Sequence, residues 1–172
     1  MCQGAEIMRA LVLVLLGLFF AGSATAQSPT RFATSPDAPI EVSGQTIIVQ
    51  ELKNRALLNG DTKLLQGDLS MTATKMTIIF DPENGDQAQD VFANHRVSVV
   101  DVKGQTSQAD KAHYNIRAET LELTGNVRIE NRNPDTQLGT AQSQRMIINM
   151  RDGTSQMYSD ATSGRARIEL KP

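Results

Sequence analysis

The feature that most limits what this chain can fold into is a repeat of about 33 to 36 residues. Three segments superimpose: Ala73-Thr74-Lys75-Met76-Thr77-Ile78-Ile79-Phe80-Asp81, Ala109-Asp110-Lys111-Ala112-His113-Tyr114-Asn115-Ile116 and Ser143-Gln144-Arg145-Met146-Ile147-Ile148-Asn149-Met150. Their basic residues Lys75, Lys111 and Arg145 stand 36 and 34 residues apart. Each segment runs into turn chemistry, at Asp81-Pro82-Glu83-Asn84-Gly85, at Asn115 to Thr120 and at Arg151-Asp152-Gly153-Thr154. Those residue types supply the backbone angles and local hydrogen bonds that a chain reversal needs. A second landmark recurs between them: Gly60, Ala93 and Gly125, 33 and 32 residues apart, are each expected to place a small residue before a strand. A period of this length means stacked supersecondary units.

The units are strands. Apolar residues alternate in Leu69-x-Met71-x-Ala73, Leu121-x-Leu123 and Val127-x-Ile129, which is the signature of a half-buried strand. No segment after the first 26 residues sustains the 3.6-residue period that a helical repeat requires. The alternation also slips at a fixed place: Met71 and Ala73 share one parity, Met76, Ile78 and Phe80 the other, and Ala109 passes to Ala112, Tyr114 and Ile116 in the same way. A one-residue slip turns every following side chain to the wrong face, unless the strand bulges or turns a corner there. Each unit therefore reads as a strand, a corner with an outward basic residue, a second strand, a turn and a return strand. Stacked, such units predict an all-β fold: a β-jellyroll, or V-shaped "taco", of antiparallel sheets with an apolar interior.

Ahead of the repeats, residues 1–26 read as a cleavable export signal. Arg9 gives a positive start, Ala10 to Ala21 is an apolar run of 12 residues, and Ala24-Thr25-Ala26 has the small-x-small form of a cleavage site. A membrane span needs about 20 apolar residues, so the run is short for an anchor. The only cysteine, Cys2, precedes it, so no disulfide is expected and packing alone must hold the exported chain. Residues 27–37 are expected to be flexible and 38–172 to form the folded domain. After cleavage 16 basic and 18 acidic side chains remain, a balance that argues against nucleic acid as a partner. Few aromatics and a low apolar content suit a thin sheet better than a thick core.

Four stretches carry a resemblance: Pro39-Ile40-Glu41-Val42, Gln66-Gly67-Asp68-Leu69, Ala109-Asp110-Lys111-Ala112-His113-Tyr114 and Leu121-Glu122-Leu123-Thr124-Gly125-Asn126-Val127. In their order and spacing they resemble the lipopolysaccharide-transport OstA-like family, above all its small periplasmic members, over residues from about Ala38 onward. The chain departs from that pattern in the Asn133-Pro134-Asp135-Thr136 insertion and in its scarcity of aromatics. The resemblance implies a periplasmic jellyroll that binds lipopolysaccharide through its lipid A acyl chains. It also implies that such a subunit joins an inner-membrane export complex to an outer-membrane translocon, with head-to-tail self-association through open sheet edges. No cofactor is implied. The chemistry is consistent, because each acyl methylene kept in water costs about 0.8 kcal/mol and several chains cannot cross an aqueous space unshielded.

The groove candidates are Ile40, Val42, Ile47, Leu69, Met71, Met76, Ile78, Phe80, Val97, Val99, Tyr114, Ile116, Leu121, Leu123, Met146 and Ile148. Tyr114 and Ile116 lead, because the matching family motif faces the groove. Met71, Met76, Met146 and Met150 suit guests of variable shape. The edge-pairing candidates are Ile40, Glu41, Val42, Ile47, Ile48 and Val49 at one end and Arg165, Ala166, Arg167, Ile168, Glu169 and Leu170 at the other, since unpaired strand edges are templates for strand addition. Lys75, Lys111, Arg145, Arg165 and Arg167 either meet lipid phosphates or form a solvated face, and the solvated face is the expectation. His95 and His113 have no second ligand at metal spacing, and Asp81 to Asp86 lacks the glycine and glutamate positions of a calcium loop. No nucleophile elbow or phosphate loop is present, so no enzyme is expected. Two alternatives stay open: a membrane-anchored member of the same pathway, and a β-scaffold that binds protein but no lipid.

Overall fold

The computed structural model describes residues 38–170 apart from 86, 102–103, 132–137 and 160–163. The expected export signal, the 27–37 segment and the 133–136 insertion lie outside the described residues. Ten strands are present: β1 (Ile40–Ser43), β2 (Thr46–Gln50), β3 (Arg55–Gln66), β4 (Leu69–Phe80), β5 (Ala88–Val100), β6 (Gln105–Asn115), β7 (Thr120–Asn131), β8 (Leu138–Asn149), β9 (Thr154–Tyr158) and β10 (Arg167–Leu170), with one 3-10 turn at Glu51–Lys53. They form a single antiparallel sheet in which β3 to β8 follow one another in chain order. The long strand β3 takes β2 against its first half and β1 against its second. At the far end β8 takes β9 and β10 in the same way.

The six long strands each bend near the middle, and the bend divides the sheet into two wings. One wing holds β2, β9 and the stretches 55–59, 75–80, 88–94, 111–115, 120–124 and 145–149; the other holds β1, β10 and 62–66, 69–73, 97–100, 105–109, 127–131 and 138–143. On the odd-numbered strands the bend consists of two left-handed residues: Gly60 and Asp61, His95 and Arg96, Gly125 and Asn126, with φ from +45° to +79°. They stand opposite the single residues Thr74, Asp110 and Gln144, and the register shifts there in every pair. Two residues against one is a bulge, which bends the strand and re-aims its side chains. This explains the parity slip from Ala73 to Met76 and from Ala109 to Ala112, all of them buried.

The Gly60, Ala93, Gly125 landmark needs correction. Ala93 pairs with Met76 and Ala112 inside one wing, and the residues at the β5 corner are His95 and Arg96. None of the three stands ahead of a strand: Gly60, Ala93 and Gly125 lie inside β3, β5 and β7, and at the β5 corner the left-handed angles fall on L-residues, at a strain of roughly 1–2 kcal/mol each, so no small residue marks it. At Gly125 the reason for glycine is plain: an added Cβ would lie 2.5 Å from Asp110 Oδ2.

Leu58, Leu64, Met71, Met76, Val99, Tyr114, Leu121, Leu123, Ile129, Met146 and Ile148 are all at most 1% exposed. Among the described residues no helix covers the sheet, so each wing is buried by the other, and both contribute to one core cluster. This is the all-β, V-shaped jellyroll expected from the alternation.

Candidate functional site

The interior of the V is ordered in rows that run from one sheet edge to the other. In the wing that carries β1, the row nearest the corner is made of small side chains: Thr62, Ala73, Val97, Ala109, Val127 and Ser143. The wings meet there and leave room for little else. The next row is Val42, Leu64, Met71, Val99, Ser107, Ile129, Ala141 and Ile168, joined pair by pair. Ile40, Gln66, Leu69, Gln105 and Asn131 form its rim. In the other wing one row is Ile47, Leu58, Met76, Ala93, Ala112, Leu123, Met146 and Met157. A second runs through Val49, Ala56, Ile78, Val91, Tyr114, Leu121, Ile148 and Ser155. Phe80, Ala88 and Ile116 pack, half-buried, against the core, and Met150 is buried with them.

All sixteen groove candidates therefore share the inward parity or pack against the core. They differ in depth: Leu69, Met71, Met76, Ile78, Val97, Val99, Tyr114, Leu121, Leu123, Met146 and Ile148 are buried, Ile40, Val42, Phe80 and Ile116 half-buried, and Ile47 is 47% exposed. Ile47 faces inward, opposite Leu58, but lies on a terminal strand with no neighbour beyond it. Sequence reasoning missed Leu58, Leu64, Val91 and Ile129. For β3 the cause is the adjacent pairs Leu57-Leu58 and Leu64-Leu65, whose parity cannot be read until the Gly60-Asp61 corner is located.

The interior is not wholly apolar. Tyr114 Oη donates to Gln66 Oε1 at 2.7 Å, both residues being buried. Tyr114 belongs to one wing and Gln66 to the rim of the other, so this bond ties the wings together away from the corner. Burial first, and the nearby Glu119 charge second, push the Tyr114 hydroxyl up to about 12, which keeps it a donor. Thr62 Oγ1 donates to the Ala73 carbonyl at 2.8 Å. Gln105 Nε2 and Ser107 Oγ, by contrast, have no hydrogen-bond partner among the described residues.

The outer face is polar and occupied with itself. His113 points outward, 2.8 Å from Asp90 and stacked on Phe92 with ring centroids 4.4 Å apart. Arg145 pairs with Glu122 and lies 5.5 Å over the Tyr158 ring, and its hydrogen bond holds the Glu122 carboxyl below the usual carboxylate range. Lys75 and Lys111 are exposed. The Asp81 carboxylate accepts from the Glu83 amide at 2.9 Å, which lowers its pKa, and pairs with Arg117 at 3.0 Å. That is the geometry of a turn. Among the described residues no group of three or more His, Cys, Asp or Glu is placed to hold a metal ion.

The two ends of the sheet carry most of the exposed apolar side chains, with Phe92 and Val100 of β5 exposed between them. Ile47, Ile48 and Val49 of β2 are 46–62% exposed, and Ile168 and Leu170 of β10 are 51% and 65% exposed. β1 and β2 pair only with β3, and β9 and β10 only with β8. The expected strand over 165–170 is shorter than anticipated: it begins at Arg167, and Arg165 and Ala166 lie before it, exposed. Glu41 and Glu169 are exposed on the same terminal strands.

Comparison with known proteins follows the same line. An uncharacterised protein of Rhizobium meliloti (strain 1021) is 23% identical over 177 residues, spanning 97% of this chain and 92% of that protein. The crystal structure of LptH, the LptA-homologous periplasmic component of the lipopolysaccharide transport device of Pseudomonas aeruginosa, matches with a TM-score of 0.66. It covers 81% of this chain and 99% of LptH at 13% identity, a likeness of fold. The family model described as LptA/(LptD N-terminal domain) LPS transport protein matches residues 41–154, and the chain belongs to that family.

Proposed function

We propose that the protein is an exported, periplasmic carrier of lipopolysaccharide. It shields lipid A acyl chains between its two wings and bridges an inner-membrane export complex to an outer-membrane translocon. The observation that carries this reading is the set of inward rows that cross the sheet from β1 and β2 to β9 and β10 and end on apolar side chains at its edges, except at Ser155 of β9. Val42, Ile47 and Val49 stand at one end and Met157 and Ile168 at the other. Copies joined edge to edge would continue those rows, and unpaired edges favour such addition. The wings touch, so a guest chain must part them. Burying an acyl chain of a dozen carbons, at about 0.8 kcal/mol per methylene, returns roughly 9 kcal/mol toward that separation.

One observation favours a second reading, a protein-binding β-scaffold: the interior is filled by its own side chains. Photocrosslinking in cells separates the two. A crosslinker at position 114 or 116 is expected to capture lipopolysaccharide, and one at the outward position 113 is not. Adducts to protein alone from 78, 114 and 116 would replace the carrier with the scaffold.

A further inference from the structure

The inward face of β6 carries two polar groups that packing does not explain. Ser107 is fully buried and Gln105 is 3% exposed, both on the same parity as the buried Ala109. Ser107 lies in the second row of its wing, with Val99 and Ile129 as cross-strand neighbours. Gln105 sits one step nearer the rim, opposite Asn131. Among the described residues, Ser107 Oγ and Gln105 Nε2 are both without a hydrogen-bond partner. Groups stripped of water and left unpaired destabilise the fold that buries them. A row selected only for packing would carry alanine or valine here, as positions 97, 99 and 109 do.

We propose that Ser107 Oγ and Gln105 Nε2 form a hydrogen-bonding subsite inside the slot, for the oxygen atoms that an acyl chain carries close to its head end. The proposal rests on the lipid-carrier reading and narrows it. An amide Nε2 only donates, so its partner is an acceptor such as an ester or amide carbonyl; a serine hydroxyl both donates and accepts, and so also receives a hydroxyl. The two Cα atoms lie about 7 Å apart along the strand at roughly 3.3–3.4 Å per residue, on the line from rim to corner. A chain that enters methyl end first leaves its polar junction beside these groups, while its hydrocarbon runs along the row that Ser107 shares with Met71, Val99 and Ile129. An unsubstituted hydrocarbon gains nothing from them. The slot therefore distinguishes oxygen-bearing acyl chains from plain ones.

The test compares the signal-free protein with Ser107→Ala and with a Ser107→Ala/Gln105→Met variant, using two probes. One is purified lipopolysaccharide; the other is a long-chain alkyl photoprobe without hydroxyl or carbonyl groups on its chain. The double variant is expected to bind lipopolysaccharide about 5- to 30-fold more weakly and the alkyl probe within about twofold of the parent. Ser107→Ala alone is expected to raise the melting temperature of the free protein by a few degrees, about 2–4 °C, because it removes a buried unpaired hydroxyl. Unchanged lipopolysaccharide affinity, or equal loss for both probes, overturns the subsite. A parent protein that holds the alkyl probe but never lipopolysaccharide overturns the carrier reading itself.

Discussion

Replacing Tyr114 with phenylalanine removes one oxygen atom and with it the bond to Gln66 that ties the wings together. The bond is 2.7 Å long and both residues are at most 1% exposed. A buried neutral hydrogen bond contributes a net 0.5–1.5 kcal/mol or so, and an acceptor that loses a donor adds a desolvation cost, for a total of about 1–2 kcal/mol. At this chain length that lowers the melting temperature by about 2–4 °C per kcal/mol. Gln66→Leu alone is expected to cost a similar amount, but the double variant less than the sum, because the shared bond is lost once. Urea unfolding of the four proteins gives the coupling energy directly. The pH dependence supplies an independent check. Tyr114 ionises at about 12 in the folded chain against 10.0 ordinarily, so the unfolded chain loses its proton first. The stability this group contributes is whole below pH 10 and falls by about 1.4 kcal/mol per pH unit between 10 and 12. Tyr114→Phe removes that part of the alkaline slope and leaves the lysine part. A coupling energy below about 0.3 kcal/mol, together with an unchanged alkaline slope, would refute the claim that this bond holds the wings.

Three further outcomes follow from the geometry. Gly125→Ala is expected to cost about 1–2 kcal/mol in urea unfolding from its left-handed backbone alone; Asp110→Ser relieves the 2.5 Å clash but not that strain. Ile168→Asp with Leu170→Asp places charge on the β10 edge, and sedimentation is expected to show weaker self-association with an unchanged melting temperature. The Glu122 carboxyl is held low by Arg145, so its contribution is present above the ordinary carboxylate range and is lost as pH falls through its lowered value. Glu122→Gln is expected to flatten the acid limb of a stability–pH curve.

Much of the fold was legible because the corner leaves a mark in one dimension. A bulge that sets two residues against one shifts the partner strand's parity, and Ala73 to Met76 and Ala109 to Ala112 display that shift in the sequence. The corner on β5 was not legible. His95 and Arg96 adopt left-handed angles without the glycine that announces them in β3 and β7. The parity of most groove candidates could be read from alternation, but how exposed each one is could not, since exposure depends on whether a strand has a neighbour beyond it, as Ile47 does not. The Tyr114–Gln66 bond spans 48 positions and left no local sign. Ser107 and Gln105 share the parity of Ala109 in the sequence, but as polar residues they carry no sign there of the burial that the fold gives them.

Among the described residues, each strand from β4 to β7 pairs with the strand before it and the strand after it. Such an arrangement behaves as a one-dimensional array, in which each hairpin answers mainly to its neighbours. Adding or deleting a pair of strands with its corner changes the length of the sheet by about 9.6 Å, at roughly 4.8 Å per strand, and leaves its V-shaped section untouched. Length and cross-section are thus separate variables in this architecture: duplicating a hairpin lengthens the sheet without redesigning the V that its two wings form.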